Sequence, residues 1–302
     1  MKTTNHYTKI ALLSLAVAMF TAASARADTY SSTNFQSDIA GVAQHTDPNL
    51  VNPWGMAASA TGTIWVSDNG TGVSTLYNQD GTAVSLVVEI PTAARNRDGA
   101  NPTGIVLNNT QFFQVTKNGT SAPAIFIFVS EDGSISGWNP TLDQTHAIIA
   151  VDNGTNRGVN HAVYKSTTLG VANGVNFLYA SNFHTGHVET YDESFHPVTP
   201  NGFIDPNLPA GYAPFGIRNF NGEIFVTYAK QDHAKHDDVA CPAVALLMCS
   251  IPAAISSDAW SQTATSMLHG DLRSWTANFG SATSVTDSLT FTIRRPALSS
   301  RH

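Results

Sequence analysis

The chain has 302 residues, only 12% of them charged, and a formal net charge of −7. That length is ample for a sizeable core. The acidic balance excludes a nucleic-acid surface, which needs clustered Lys and Arg, and leaves no polybasic patch for anionic lipid. Low charge with abundant Gly, Asn, Ser and Thr suits an extracellular all-β protein.

From the N-terminus, Lys2 and Lys9 precede the apolar run Ile10 to Phe20, and Ala25-Arg26-Ala27 offers a small-x-small cleavage site before Asp28. This pattern predicts a secretory signal peptide over residues 1–27 and a secreted or periplasmic product. No later segment is apolar enough to span a bilayer, so no transmembrane segment is expected in the mature chain. His45-Thr46-Asp47 comes next, either to plug a channel or to tie down the N-terminus.

Then a repeat begins. Asn52-Pro53-Trp54-Gly55-Met56 returns as Asn101-Pro102-Thr103-Gly104-Ile105 and as Ala213-Pro214-Phe215-Gly216-Ile217; the third unit carries a degraded corner at Asn160 to Tyr164. Ile64-Trp65-Val66-Ser67-Asp68 returns as Ile127-Phe128-Val129-Ser130-Glu131, Leu178-Tyr179-Ala180-Ser181-Asn182 and Ile224-Phe225-Val226-Thr227-Tyr228. Gly72 to Tyr77 returns as Gly133 to Trp138 and Gly186 to Tyr191. Equivalent points Asp68, Glu131, Asn182 and Tyr228 are 63, 51 and 46 residues apart, the long interval reflecting an insertion around Gln114 to Pro123. Asn-Gly pairs at Asn69, Asn118, Asn153, Asn173, Asn201 and Asn221, and Asp-Gly pairs at Asp80, Asp98 and Asp132, supply tight turns. A period near fifty with three or four short strands per unit predicts a β-propeller over residues 28–240, with about four recognisable blades. A sandwich would not repeat its corner, and a β-helix would have a shorter period. Trp65, Phe128, Tyr179 and Phe225 are the expected blade-core positions.

"HTDPNLVNPWG", "DNGTGVSTLY", "NPTGIV", "FVSEDGSISGWNP", "AVDNG", "LPAGYAPFGI" and "VTYAKQD" resemble the signature segments of an uncharacterised family of exported bacterial proteins held to be β-propellers. At the level of the repeat the blades are also similar to NHL-type and gluconolactonase-type propellers, which implies descent from a six-bladed ring. In the resembling family further blades follow. Here the pattern stops at residue 240. Residues 241–302 have no Pro-x-Gly corner and are expected to form an irregular tail, from truncation or a frame change, or else a divergent last blade. Cys241 and Cys249, both in this tail, could form a disulfide in an exported protein.

Inner-strand ends and interblade loops would carry Asn52, Trp54, Asp68, Asn101, Glu131, Asn182, Tyr212 and Lys230. Oxygens of Asn52, Asp68, Asn101, Glu131 and Asn182 could together hold one Ca2+-type ion. In gluconolactonase-type propellers such an ion activates a lactone or ester carbonyl. The competing role for each is to cap the turn that follows its strand. His233, His236 and Asp237, with Asp232 and Asp238, form a possible transition-metal loop, against a solvated turn; His184 and His187 flank Gly186. There is no Gly-x-Ser-x-Gly elbow, no Walker loop and no dinucleotide fingerprint. Two functions remain open: an exported propeller binding a small molecule, extracellular protein or glycan without catalysis, and a metal-assisted lactonase or esterase-type hydrolase.

Overall fold

In a computed structural model, the residues described are 30–94, 96, 99–154, 161–198, 203, 206 and 208–239, with the backbone of 246–250 and 288–294. The expected signal peptide and Cys241 lie outside them, as does most of the tail. The chain parts into two compact units, Thr33–Phe291 and a second made of Met1–Ser32 with Thr292–His302. Every blade belongs to the first.

All described regular structure is β. β1 (Tyr30–Ser37) pairs in parallel with β2 (His45–Thr46) ahead of the first blade. That blade is β3 (Pro53–Ala58), β4 (Ile64–Asp68), β5 (Val73–Tyr77) and β6 (Val88–Glu89), in that order across the sheet. The second blade starts with β7 (Pro102–Leu107). A hairpin of β8 (Gln114–Lys117) and β9 (Thr120–Pro123) then intervenes, before β10 (Phe126–Ser130), β11 (Ser134–Trp138) and β12 (Ile148–Asp152). The hairpin is the insertion read from the spacing, and its Asn118-Gly119 turn has positive φ at both residues, 52° and 78°. The third blade is β13 (Tyr164–Ala172), β14 (Val175–Asn182), β15 (His187–Tyr191) and β16 (Pro197–Val198). The fourth is β17 (Tyr212–Phe220), β18 (Glu223–Lys230) and β19 (Leu246–Ser250). β20 (Ser288–Arg294) is the last described strand. Of the expected irregular tail, then, residues 246–250 form a regular strand in register with β18, Tyr228 opposite Leu246.

These antiparallel sheets are the blades of a β-propeller. The first strand of each lies against the first strand of the next: β3 on β7, β7 on β13, β13 on β17. They are therefore the inner strands. Each bulges at the same place. Pro53 pairs with Asp68 and Met56 with Val66, so three steps on β3 oppose two on β4. Pro102 and Ile105 do the same against Ser130 and Phe128, and Pro214 and Ile217 against Tyr228 and Val226. In the third blade the bulge falls at Tyr164-Lys165-Ser166, opposite Asn182 and Ser181. The repeated corner is thus a β-bulge that bends the inner strand and re-aims its middle residue. Its glycine is where two inner strands touch. A Cβ on Gly55 would lie 2.4 Å from the Thr103 carbonyl oxygen, and one on Gly104 2.6 Å from the Thr167 nitrogen.

The bulge register corrects two expectations. The third corner is Tyr164-Lys165-Ser166, not Asn160 to Tyr164. And Asp68 corresponds to Ser130, not Glu131, so Trp65 corresponds to Ile127 and Phe128 points to the opposite face. A one-residue slip exchanges the two faces of a strand. All four expected core residues are buried in second strands, at no more than 6% exposure. The clusters that hold Trp65, Phe128 and Tyr179 lie between blades. Trp65 joins Phe126, Phe128 and Trp138 between the first and second. Ile127 and Val129 join Tyr164, Leu178 and Ala180 between the second and third. Tyr179 joins Ile217, Ile224 and Val226 between the third and fourth. Middle strands are therefore apolar on both faces, which is why they read as continuous hydrophobic runs.

Ahead of the first blade, the Tyr77 hydroxyl donates to Asp47 at 2.9 Å. His45-Thr46-Asp47 accordingly ties the leading segment to the first blade.

Candidate functional site

The middle residues of the four corners are Trp54, Thr103, Lys165 and Phe215. The residue just after each of the first three second strands is Asn69, Glu131 and Phe183. Six of these seven converge at one end of the axis. Trp54 Nε1 donates to Asn52 Oδ1 at 3.2 Å, Asn52 Nδ2 to Asn69 Oδ1 at 3.0 Å, and Asn69 Nδ2 to Glu131 Oε2 at 2.9 Å. Asn101 Nδ2 donates to the Asn69 carbonyl at 3.3 Å. The Lys165 ammonium then bridges Glu131 Oε1 and, at 3.0 Å, Asp237 Oδ1. Its Nζ lies 5.1, 5.7 and 5.8 Å from the ring centroids of Trp54, Phe183 and Phe215. The ring centroids of Trp54 and Phe215 are 5.7 Å apart, so side chains of the first and fourth inner strands meet here. Thr103, the seventh, turns inward and donates to the Tyr164 carbonyl at 2.7 Å.

Asn52 tolerates the left-handed backbone, φ 50°, that starts this chain of bonds. Asp237 arrives on the excursion after β18, where Asp232 Oδ1 accepts from the His236 nitrogen at 2.9 Å and the Asp232 nitrogen donates to the Asp237 carbonyl at 2.8 Å. Gln231 Nε2 ties the excursion to the third blade through the Phe183 carbonyl.

The Lys165 side chain is fully buried and Glu131 is 9% exposed, whereas Asp237 is 64% exposed. Burial alone would push the Asp237 carboxyl up, but the Lys165 charge and hydrogen bond, helped by His236, outweigh it and hold it below its ordinary value. Two carboxylates and one ammonium leave the cluster with an excess negative charge. One imidazole joins it: His236 Nδ1 is 3.2 Å from Asp237 Oδ2. Ligand atoms of Glu131, His236 and Asp237 all lie within 4.8 Å of one another.

Of the expected channel ligands, the structure brings Asn52, Asn101 and Glu131 together, through Asn69. Asp68 lies apart from this network, fully buried in the first blade. Its Oδ2 accepts from the Thr75 nitrogen at 3.0 Å, and its Oδ1 has no hydrogen-bond partner. Burial pushes its pKa up to about 8, against the pull of the Thr75 hydrogen bonds. A carboxyl raised in the folded state stabilises most below its unfolded pKa, near 4, and that stability is lost as pH rises through the folded value near 8. Stability should therefore fall by about 2–3 kcal/mol from pH 5 to 7 through this group. Asp68→Asn should flatten that slope in denaturant melts; an unchanged slope would assign it elsewhere.

Asn182 also acts within its own blade. Its Oδ1 accepts from the Val163 and Thr185 nitrogens, and its Nδ2 donates to Glu189 at 2.7 Å. Glu189 also accepts from the Tyr164 and Tyr191 hydroxyls, at 2.5 and 2.6 Å. Glu189 and Tyr191 line a cavity of about 540 Å3 with His187, Pro197, Val198 and Phe203, none of them in the Lys165 network. Tyr212 packs against the core between the third and fourth blades, and Lys230 is exposed. Of the expected metal loop, His236 and Asp237 reach the axis while His233 is exposed. His184 lies against His161, with ring centroids 3.9 Å apart and planes inclined at 41°.

No family model matches the chain. Two uncharacterised proteins of Acanthamoeba polyphaga mimivirus are similar to it. One is 30% identical over 196 residues, covering 63% of this chain and 50% of the relative. The other is 27% identical over 194 residues, covering 63% and 46%. The chain thus spans about half the length of the curated relatives it matches. These relatives are viral, and they lend no support to the bacterial attribution of the resemblance. Among solved structures, virginiamycin B lyase from Staphylococcus aureus overlaps at a TM-score of 0.38 and 13% identity, over 74% of each chain. A Bacteroides caccae protein of unknown function overlaps at 0.36 and 13%, over 62% of this chain and 59% of that one. Overlaps this loose carry no argument about activity; the propeller assignment rests on strand order and inner-strand packing.

Proposed function

We propose that this chain is an exported β-propeller that binds a small molecule, an extracellular protein or a glycan at the channel end, without chemistry of its own. One observation supports it most. The carboxylates that a catalytic cation would need, Glu131 and Asp237, already share the Lys165 ammonium. The amides of Asn52 and Asn101 are likewise engaged within the network. Export rests on the leader pattern of residues 1–27. Among the described residues no helix is long and apolar enough to cross a membrane.

The alternative is a metal-assisted lactonase or esterase-type hydrolase. It is favoured by the convergence of Glu131, His236 and Asp237, one imidazole and two carboxylates. Metal analysis of the purified protein, paired with thermal melts with and without a chelator, separates the two. The binding reading expects the same melting temperature in both. A divalent ion at one equivalent, with a chelator-sensitive melt and hydrolysis of a lactone, would replace it.

A further inference from the structure

The groups around the Lys165 amine are those of an ammonium receptor. Three aromatic rings lie within about 6 Å of Nζ, the range in which a ring face attracts a cation. Glu131 and Asp237 accept its hydrogen bonds on the remaining sides. The rings come from the first, third and fourth blades and Glu131 from the second, so the box belongs to the assembled propeller and not to the lysine's own strand. Asn69 holds the second oxygen of Glu131, fixing the carboxylate in place.

We propose that the channel end is a binding site for a primary ammonium group, filled in this structure by the chain's own Lys165. An external alkylammonium competes with that side chain for Glu131, Asp237 and the Trp54–Phe183–Phe215 rings. Asp237, on the exposed excursion after β18, is the side from which it enters. This deepens the binding reading by naming the ligand's reactive feature, a cationic primary amine. A divalent metal is the poorer occupant, because three of the walls are aromatic faces, which supply no ligand atom, and both carboxylates already accept from the Lys165 ammonium.

The test uses ethylammonium chloride against three proteins: wild type, Lys165→Ala and Lys165→Met. Lys165→Ala empties the box, whereas Lys165→Met keeps an uncharged stem in it. Calorimetry and thermal melts should show ethylammonium binding Lys165→Ala about tenfold or more tightly than the wild type, the difference made by freeing a desolvated cation–aromatic site. Lys165→Met should bind no better than the wild type. If Lys165→Ala does not fold alone, its refolding yield in ethylammonium chloride against equal sodium chloride becomes the readout, and a higher yield is expected. Equal binding by all three proteins, or no difference between the two salts, overturns the proposal. So does saturable Zn2+ binding by Lys165→Ala that is lost on His236→Ala, if ethylammonium does not bind. The box could fail in this way while the channel end still bound a ligand without an amine. A chelator-sensitive melt of the wild type would instead remove the binding reading itself.

Discussion

Lys165→Met should cost about 3–5 kcal/mol of folding stability, because it strips a buried carboxylate of its charged partner. Glu131 is the group left behind, at 9% exposure and with only Asn69 still donating to it among the hydrogen bonds described above. Asp237 adds little to the loss, since its carboxylate is mostly exposed and can turn to water. The decisive comparison is the double variant. Glu131→Gln in the Lys165→Met background removes the stranded charge, so it should recover part of the loss. Glu131→Gln alone, which removes the counter-charge beside the buried Lys165 ammonium, should destabilise. Additive losses in urea melts would mean that the two groups do not interact, and the channel-end network would be wrong.

Trp65→Ala should cost a similar amount, about 3–5 kcal/mol, the usual price of deleting a large aromatic side chain from a close-packed core. Its indole is 4% exposed, stacked on Phe126 at 4.2 Å and inclined to Trp138 at 4.7 Å. The loss falls on the interface between the first two blades. Phe128 is part of the same cluster, so Trp65→Ala and Phe128→Ala should be non-additive, whereas Tyr179→Ala, in a separate cluster, should add to either. Additivity of Trp65 with Phe128 would restore the sequence alignment in which both face the same way.

Strand existence, hairpin turns and the inserted hairpin were legible in the sequence, because each has a local cause: alternation or an apolar run, and Asn-Gly at a turn that needs positive φ. Register was not. A bulge adds one residue to the inner strand without marking the strand beside it, and the likeness of "IWVSD" to "IFVSE" is one position out of the structural register. In the first and third blades the residues chosen, Asp68 and Asn182, end their strands and stay inside the blade, while the next residues, Asn69 and Phe183, reach the axis. In the second blade the slip selected Glu131, which does reach it. Lys165 was missed because its corner has Tyr and Ser in place of Pro and Gly. The legible signal would have been the middle residue of every corner, Trp54, Thr103, Lys165 and Phe215, three of which are large or charged where a plain turn needs neither. Asp237 had no such signal beyond a polar loop, since its approach to the axis depends on how the excursion after β18 folds back.

The meeting of Trp54 with Phe215 bears on how the molecule comes apart. An array in which each unit touches only its neighbours behaves as a one-dimensional stack: end units fray first, and unfolding spreads along the chain in steps. The Trp54–Phe215 side-chain contact links the first unit to the fourth across the axis. Loosening either end then breaks the Trp54–Phe215 contact and uncovers the Lys165 ammonium together. The blades from Pro53 to Lys230 should therefore melt as one cooperative block, with hydrogen exchange in β4, β10, β14 and β18 slowing to a common limit rather than grading from one end to the other.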